Sequence, residues 1–488
     1  MPSPGPSEAV TATSLPKDLE GSRCLATIGG GRYDAQAMSL LQDAASVLDA
    51  LDAANRRFAA AYPGDRSARQ PVHTVYGGAQ LYKAETTRRL GELALHSLQT
   101  FAPTPAELAV GVGLPAAITR DSSLSELVYR RVRAKLEREA VEDFRIDFED
   151  GFGARPDREE DEQAVRTAAE LARGMKSGLL PPFIGVRIKS FSEEWVRRGA
   201  RTLELFLDGL LAATGGALPE NFVITLPKVS IPAQPETLVR LLELLEQRHQ
   251  LAPGSLRFEI MIETTQALLG PDGRCPLPEL LRACHGRCAG AHLGTYDFTA
   301  SCNVTADCQS MTHPLCELAK GMMQLAFAGT GVCLSDGATN VMPIPPHRGS
   351  ALSAAQLAEN RAVVHGAWQL AHQNIRHSLA GGFYQGWDLH PAQLPARYAA
   401  CYGFFLEGLP GATERLKNFV TQAAQATLVG DVFDDAASAQ GLLNYFSRAS
   451  SCGAIEPHEL EETGLTLAEV QLRSFAKILA ARRARLSS

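Results

Sequence analysis

The sequence predicts an α/β fold: a (β/α)8 TIM barrel with an N-terminal helical extension and a C-terminal helical domain. Three observations carry that expectation. Short β-rich apolar runs alternate with longer amphipathic stretches, which is the pattern of parallel strands covered by helices. Eight such units fit within about 320 residues, as a barrel with insertions requires. Charged residues gather just after the apolar runs rather than before them, on the side where a barrel of this kind builds its site.

The chain opens with a polar, Pro/Ser-rich stretch, "MPSPGPSEAVTATSLPKDLEGS", that reads as a disordered tail. The helical pattern "AQAMSLLQDAASVLDALDAANRRFAAAY" comes next, so residues 1–70 are assigned as tail plus helical extension. Residues 71–395 hold the barrel. Its expected strands are "PVHTVY" (71–76), "DFRIDF" (143–148), "PFIGVRI" (182–188) and "NFVITL" (221–226), then "LRFEIMI" (256–262), "GAHLGT" (290–295), "TGVCLS" (330–335) and "FYQGWDL" (383–389). Stretches such as "LSELVYRRVRAKLEREAVE" and "PETLVRLLELLEQRHQL" supply the helices between them. A doubly wound open sheet is the alternative, but "YGGAQLYKAET" is a poor match to its Gly-rich phosphate turn. Residues 396–488 read as helical and end in the basic "AKILAARRARLSS", cations suited to a helix C-terminus.

Composition excludes several classes. The chain of 488 residues carries a net charge of −7, with an isoelectric point near 6.0, and so has no electrostatic footprint for nucleic acid. No window approaches the roughly 20 apolar residues that span a bilayer. With no secretory leader visible either, the cytoplasm is the expected location. Ten cysteines are too sparse for a disulfide scaffold, and "CHGRCAG" and "SCNVTADC" lack the paired spacing of a structural zinc site.

The strand ends carry the chemistry. The second ends in Asp147, Glu149 and Asp150, the third in Arg187 and the fourth in Lys228. The fifth ends in Glu263, the sixth in Asp297 and the eighth in His390. Carboxylates on neighbouring strands suit magnesium, which takes oxygen ligands and keeps positions for waters or substrate oxygens. Such an ion would chelate a 2-oxo acid and stabilise charge on an enolate or alkoxide, while Arg187 pairs with a substrate carboxylate or the same oxyanion. Each residue also has a plainer reading. Glu263 could be a solvated acid, Asp297 a helix cap, Arg187 the counter-ion of Asp147, Lys228 a solvated cation and His390 a packing residue.

The segments "IDFEDGFG", "VRIKSF", "LPKVSIPAQ", "EIMIETTQALL", "HLGTYDFTAS" and "GWDLHPAQL" occur in the order found in one superfamily. Over residues 140–395 the chain resembles the HpcH/HpaI aldolases, citrate lyase β subunits, malyl-CoA lyases and malate synthases. The resemblance implies Glu263 and Asp297 as ligands of Mg2+, with Mn2+ as an alternative. It implies Arg187 as the arginine on the enolate and 2-oxo acid, Glu149 and Asp150 as acids holding water or substrate, and Gly294 and Thr295 as substrate-binding positions. His390 would organise its strand end. "VFDDAASAQGLLNYFSRASSCGAI" (432–455) resembles the malate synthase C-terminal segment, which implies Asp435 as the base, in a helical domain closing over the barrel mouth. An Asp pair opening a helix is the plainer reading of the same residues. "VRIKSF" lacks the "RGxH" element and "MIET" lacks a following "LPA", so the substrates stay open.

The expected function is therefore a Mg-dependent carbon–carbon lyase, aldolase or Claisen-type synthase acting through a metal-stabilised enolate. Its substrate would be a 2-oxo acid, with an acyl-CoA as candidate second substrate. The alternatives are a phosphoenolpyruvate-using or phosphoryl-transfer enzyme on a related barrel, a CoA-independent aldolase, and a non-catalytic binding protein. No nucleic-acid or membrane partner is expected, and a homo-oligomer is.

Overall fold

A computed structural model describes residues 44–66, 68–422, 427–429, 432–434 and 436–486. The chain divides into two compact units, Met1–Ala60 and Ala61–Ser488. Helix Ala45–Ala61 supplies nearly all of the described part of the first.

In the second unit, eight strands close into a barrel in sequence order. They are β1 (His73–Gly78), β2 (Asp143–Asp147), β3 (Phe183–Arg187), β4 (Phe222–Leu226), β5 (Arg257–Ile262), β6 (Cys288–Leu293), β7 (Cys333–Ala338) and β8 (Gln385–Asp388). Neighbours run parallel, and β8 pairs back onto β1 through His73 opposite Gly386. All eight expected runs fall on these strands. The largest offset is at β7, which begins three residues late because Gly329 and Gly331 take left-handed φ values of 74° and 77° and hold the chain in a turn.

The strands are not apolar throughout; they alternate. In "DFRIDFED", Phe144, Ile146 and Phe148 point outward beneath the helices, while Asp143, Arg145 and Asp147 point into the barrel. Phe148 meets Phe206 of helix Val196–Thr214 edge-on at 6.4 Å, and Phe206 stacks on Phe222 of β4 at 6.2 Å. Aromatic contacts of this kind add about 0.5–1.5 kcal/mol each beyond area burial. Aliphatic layers dominate most barrels of this type, but here the interior carries charge. Arg145 pairs with Asp143 and with Glu259 Oε2 at 2.8 Å. His292 Nε2 lies 3.1 Å from the same Glu259 oxygen. Thr74 donates to Asp143 at 2.9 Å, and Gln385 donates to Thr74 at 3.0 Å.

Helix Leu394–Thr421 sets the position of the C-terminal segment. Its first turns sit near the mouth end, where Arg397 pairs with Asp388 at 2.9 Å. Its 28 residues span ~42 Å at the α-helical rise, enough to run the height of the barrel. It delivers the chain to the strand-start end. There Ser451 accepts from the Gln70 amide at 3.4 Å, and Arg448 donates to Gln70 just ahead of β1. Helix Ala436–Ser451 therefore meets the barrel floor, whereas the resemblance of 432–455 to malate synthases implies a domain over the mouth. Among the described residues, no helix is long and apolar enough to cross a membrane.

Candidate active site

The acids at the end of β2 divide the work. Asp147 accepts from the backbone amides of Glu149 (2.9 Å) and Gly151 (2.8 Å), which folds the chain back sharply after the strand. The same carboxylate receives Arg187 from β3 through Nε at 2.8 Å and Nη2 at 2.5 Å. This is a bidentate pair that fixes the guanidinium plane. The Arg187 guanidinium also lies over the Tyr76 ring, 4.8 Å from its centre. Its remaining nitrogen, Nη1, is 3.1 Å from Glu149 Oε2 and 3.6 Å from Asp150 Oδ2.

Lys228 ties the strand ends together. Its backbone takes a left-handed φ of 52°, and its N–H donates to Glu263 Oε1 at 2.7 Å. Its ammonium pairs with Glu149, with Asp150 at 3.4 Å and with Asp297 at 3.6 Å. The solvated-lysine reading is thus incorrect: Lys228 sits between four carboxylates. Burial raises the Glu149 pKa. For Asp150 burial pushes in the same direction, but Arg187 and Lys228 outweigh it and hold the carboxyl below its ordinary value.

Glu263 is the most unusual group here. It is 1% exposed, and its Oε2 has no hydrogen-bond partner among the described residues. A Cβ on Gly294 would fall 2.2 Å from that oxygen, so the absence of a side chain at 294 is what makes room for it. Burial, and next the charge of Asp297, push the Glu263 pKa up to about 8. Burial beside a second acid thus favours the protonated, neutral form of this carboxyl. The side chain of Asp297, in the first turn of helix Thr295–Ser301, is 43% exposed. Thr295 Oγ1 is buried without a partner among the described residues and lies 1.9 Å from where a Gly337 Cβ would stand.

The raised pKa has a consequence for stability. Folded Glu263 keeps its proton up to about pH 8, whereas an unperturbed glutamate loses it near 4.5. The folded state then binds more protons between these values, so stability falls as pH rises through that window. Metal-free Glu263→Gln protein is expected to melt above the wild type at pH 8.5 and with it at pH 4. Thermal unfolding in a chelating buffer checks this.

Glu149, Asp150, Arg187, Glu263, Gly294, Thr295 and Asp297 all lie at the mouth. His390 Nδ1 accepts from the Ala392 amide at 3.2 Å and caps the turn after β8. Asp435 lies outside the described residues. The pairing of Arg187 with Asp147 is the plainer reading of that arginine borne out; sequence reasoning missed Tyr76 and the turn that Asp147 holds through the Glu149 and Gly151 amides. The inward positions of an alternating strand would have pointed to both. Among the described residues, no group of three or more His, Cys, Asp or Glu is placed to hold a metal. Glu263 and Asp297 influence each other's charge at the mouth, with Glu149 and Asp150 held nearby by Lys228. The unpartnered Glu263 Oε2 beside a bare glycine is an oxygen donor suited to a hard cation.

A family described as a domain of unknown function, DUF6986, matches residues 51–478. The chain belongs to the DUF6986 family. No curated protein matches the sequence. Among solved structures, this DUF6986 chain is similar to a citrate lyase from Burkholderia xenovorans at 18% identity, covering 82% of this chain and 100% of that one, with a TM-score of 0.50. A Haloferax volcanii malate synthase in a magnesium/glyoxylate complex is 15% identical, with 84% and 98% covered and a TM-score of 0.42. The same enzyme in a pyruvate/acetyl-CoA ternary complex is 16% identical, with 72% and 94% covered and a TM-score of 0.39. At such identity the citrate lyase likeness is one of fold: this DUF6986 member has the barrel of that enzyme.

Proposed function

We propose that this DUF6986 protein is a Mg-dependent carbon–carbon lyase or Claisen-type synthase that works on a 2-oxo acid through an enolate. The observation that carries the reading is the buried, half-unpartnered Glu263 carboxylate beside Asp297 at the mouth. In this reading Glu263 and Asp297 hold the cation, with Mn2+ as a substitute. When bound, the cation supplies Lewis acidity toward negative charge growing on a substrate oxygen. Arg187, locked by Asp147 and Tyr76, presents Nη1 to the same charge without reorganising. Glu149, its pKa raised by burial, is the group that moves the proton of the carbon acid. Lys228 holds Glu149 in place. Gly294 and Thr295 leave and line the space for substrate oxygens. An acyl-CoA is the proposed second substrate. The location proposed is the cytoplasm.

The test is proton–deuterium exchange followed by NMR in D2O. Acetyl-CoA, propionyl-CoA and pyruvate are offered separately with Mg2+, each with and without a non-reacting 2-oxo acid analogue. Exchange is expected to need Mg2+ and to vanish in Glu263→Gln. Exchange that survives both chelation and that substitution would sink the reading. In addition, Gly294→Ala is expected to weaken Mg2+ binding by about ten-fold or more, because its methyl displaces the Glu263 oxygen. Calorimetric titration of Mg2+ into the two proteins measures this.

A further inference from the structure

The barrel floor holds a second charged cavity that the proposed chemistry does not use. It encloses about 370 Å³ between the starts of β7 and β8 and the C-terminal helices. Among the described residues, three arginines line it, Arg66, Arg448 and Arg473, against a single carboxylate, Asp65. Asp65 Oδ2 lies 3.2 Å from Arg448 Nη2 and 3.6 Å from Arg473 Nη1, so one exposed acid serves two guanidiniums. Arg66 makes no ion pair among the described residues; its Nη2 donates to the Cys288 carbonyl at 3.1 Å. Arg448 lies over the Tyr384 ring at 4.7 Å and donates to Gln70. The side chain of Arg473 is 9% exposed, and its Nε is buried with no hydrogen-bond partner among the described residues.

This arrangement is costly as it stands. Burying guanidinium groups beyond the carboxylates available leaves desolvated positive charge without compensation. Burial, and next the like charge of Arg448, lower the Arg473 pKa below its ordinary value, which is the same imbalance seen from another side. Arginine forks match the oxygens of phosphate and carboxylate groups in bidentate fashion. The volume admits a molecule at the small end of ligand size, for which cavities of about 300–1,000 Å³ are usual.

We infer that the floor cavity formed by Arg66, Arg448 and Arg473 is a binding site for a small dianion, a phosphate group or a compact dicarboxylate. The bound anion bridges the barrel, through Arg66, to the C-terminal helices, through Arg448 and Arg473. It satisfies Arg473 Nε and shares the charge that Asp65 alone now meets.

The test is calorimetric titration of the full chain with inorganic phosphate, pyrophosphate and malonate, at fixed ionic strength set by chloride. Wild type, Arg473→Gln, Asp65→Asn and Arg187→Lys are compared. One site per chain is expected, weakened by about ten-fold or more in Arg473→Gln, in line with a lost charge-assisted bond. Asp65→Asn removes the competing carboxylate and is expected to bind several-fold more tightly. It serves as the readout should Arg473→Gln fail to fold. Arg187→Lys is expected to bind as the wild type does, which separates this site from the mouth. Phosphate binding without malonate binding identifies a phosphate site, and the reverse a dicarboxylate site. No saturable binding to any probe would overturn the inference. So would binding unchanged in both floor variants, or lost only in Arg187→Lys.

Discussion

Replacing Glu263 by Gln is expected to lower kcat/KM by at least about 10²-fold, the scale for losing one preorganised stabiliser of transition-state charge. The substitution keeps shape. Its amide can still accept the Lys228 N–H through one oxygen, and it relieves the burial of an ionised carboxylate. Activity and stability should therefore move in opposite directions: turnover collapses while the metal-free protein melts higher at alkaline pH. A structural carboxylate would show both falling together. Steady-state kinetics on the substrate found by exchange and thermal unfolding in a chelating buffer read the two halves. The effect is expected to appear in kcat more than in KM, because the charge concerned grows during the reaction.

The second large effect is on folding. Arg145→Ala is expected to cost about 3–5 kcal/mol, the range for breaking a buried ion pair by removing one partner. Arg145 stands inside the barrel between Asp143 and Glu259, and both acids are buried, so neither readily recovers its hydration. Thr225 also loses the Nε–H that it accepts at 3.1 Å. The double replacement Arg145→Met with Glu259→Gln is expected to cost less than its two parts added, because the second change removes a charge that the first strands. Denaturant midpoints for the three variants give the cycle.

The barrel was legible because its outward faces are apolar and regularly spaced. Phe144, Ile146 and Phe148 mark β2 as clearly as Ile260 and Ile262 mark β5. Glu263, Asp297 and Arg187 were legible as charged residues at strand ends. The pairing of Arg187 with Asp147 was legible too, but the contacts of Glu263 and Asp297 with Lys228 lay hidden. Nothing local distinguishes the lysine of "LPKVS" from a solvated one, since the carboxylates around it come from three other strand ends. Tyr76 was missed because an aromatic at a strand end reads as core, whereas here its face supports a guanidinium. The position of residues 436–486 depends on where a 28-residue helix ends, which composition does not encode.

The polar interior of the barrel also bears on how this sequence can drift. Gln70, Gln385, Thr74, Asp143, Arg145, Glu259 and His292 are joined one to the next by hydrogen bonds or ion pairs. A single replacement in such a series leaves a neighbour charged or unsatisfied, so lone substitutions are removed by selection while matched ones pass. Relatives without Arg145 should then lack Asp143 or Glu259 as well, and their barrels should fill with aliphatic side chains as a block rather than one residue at a time.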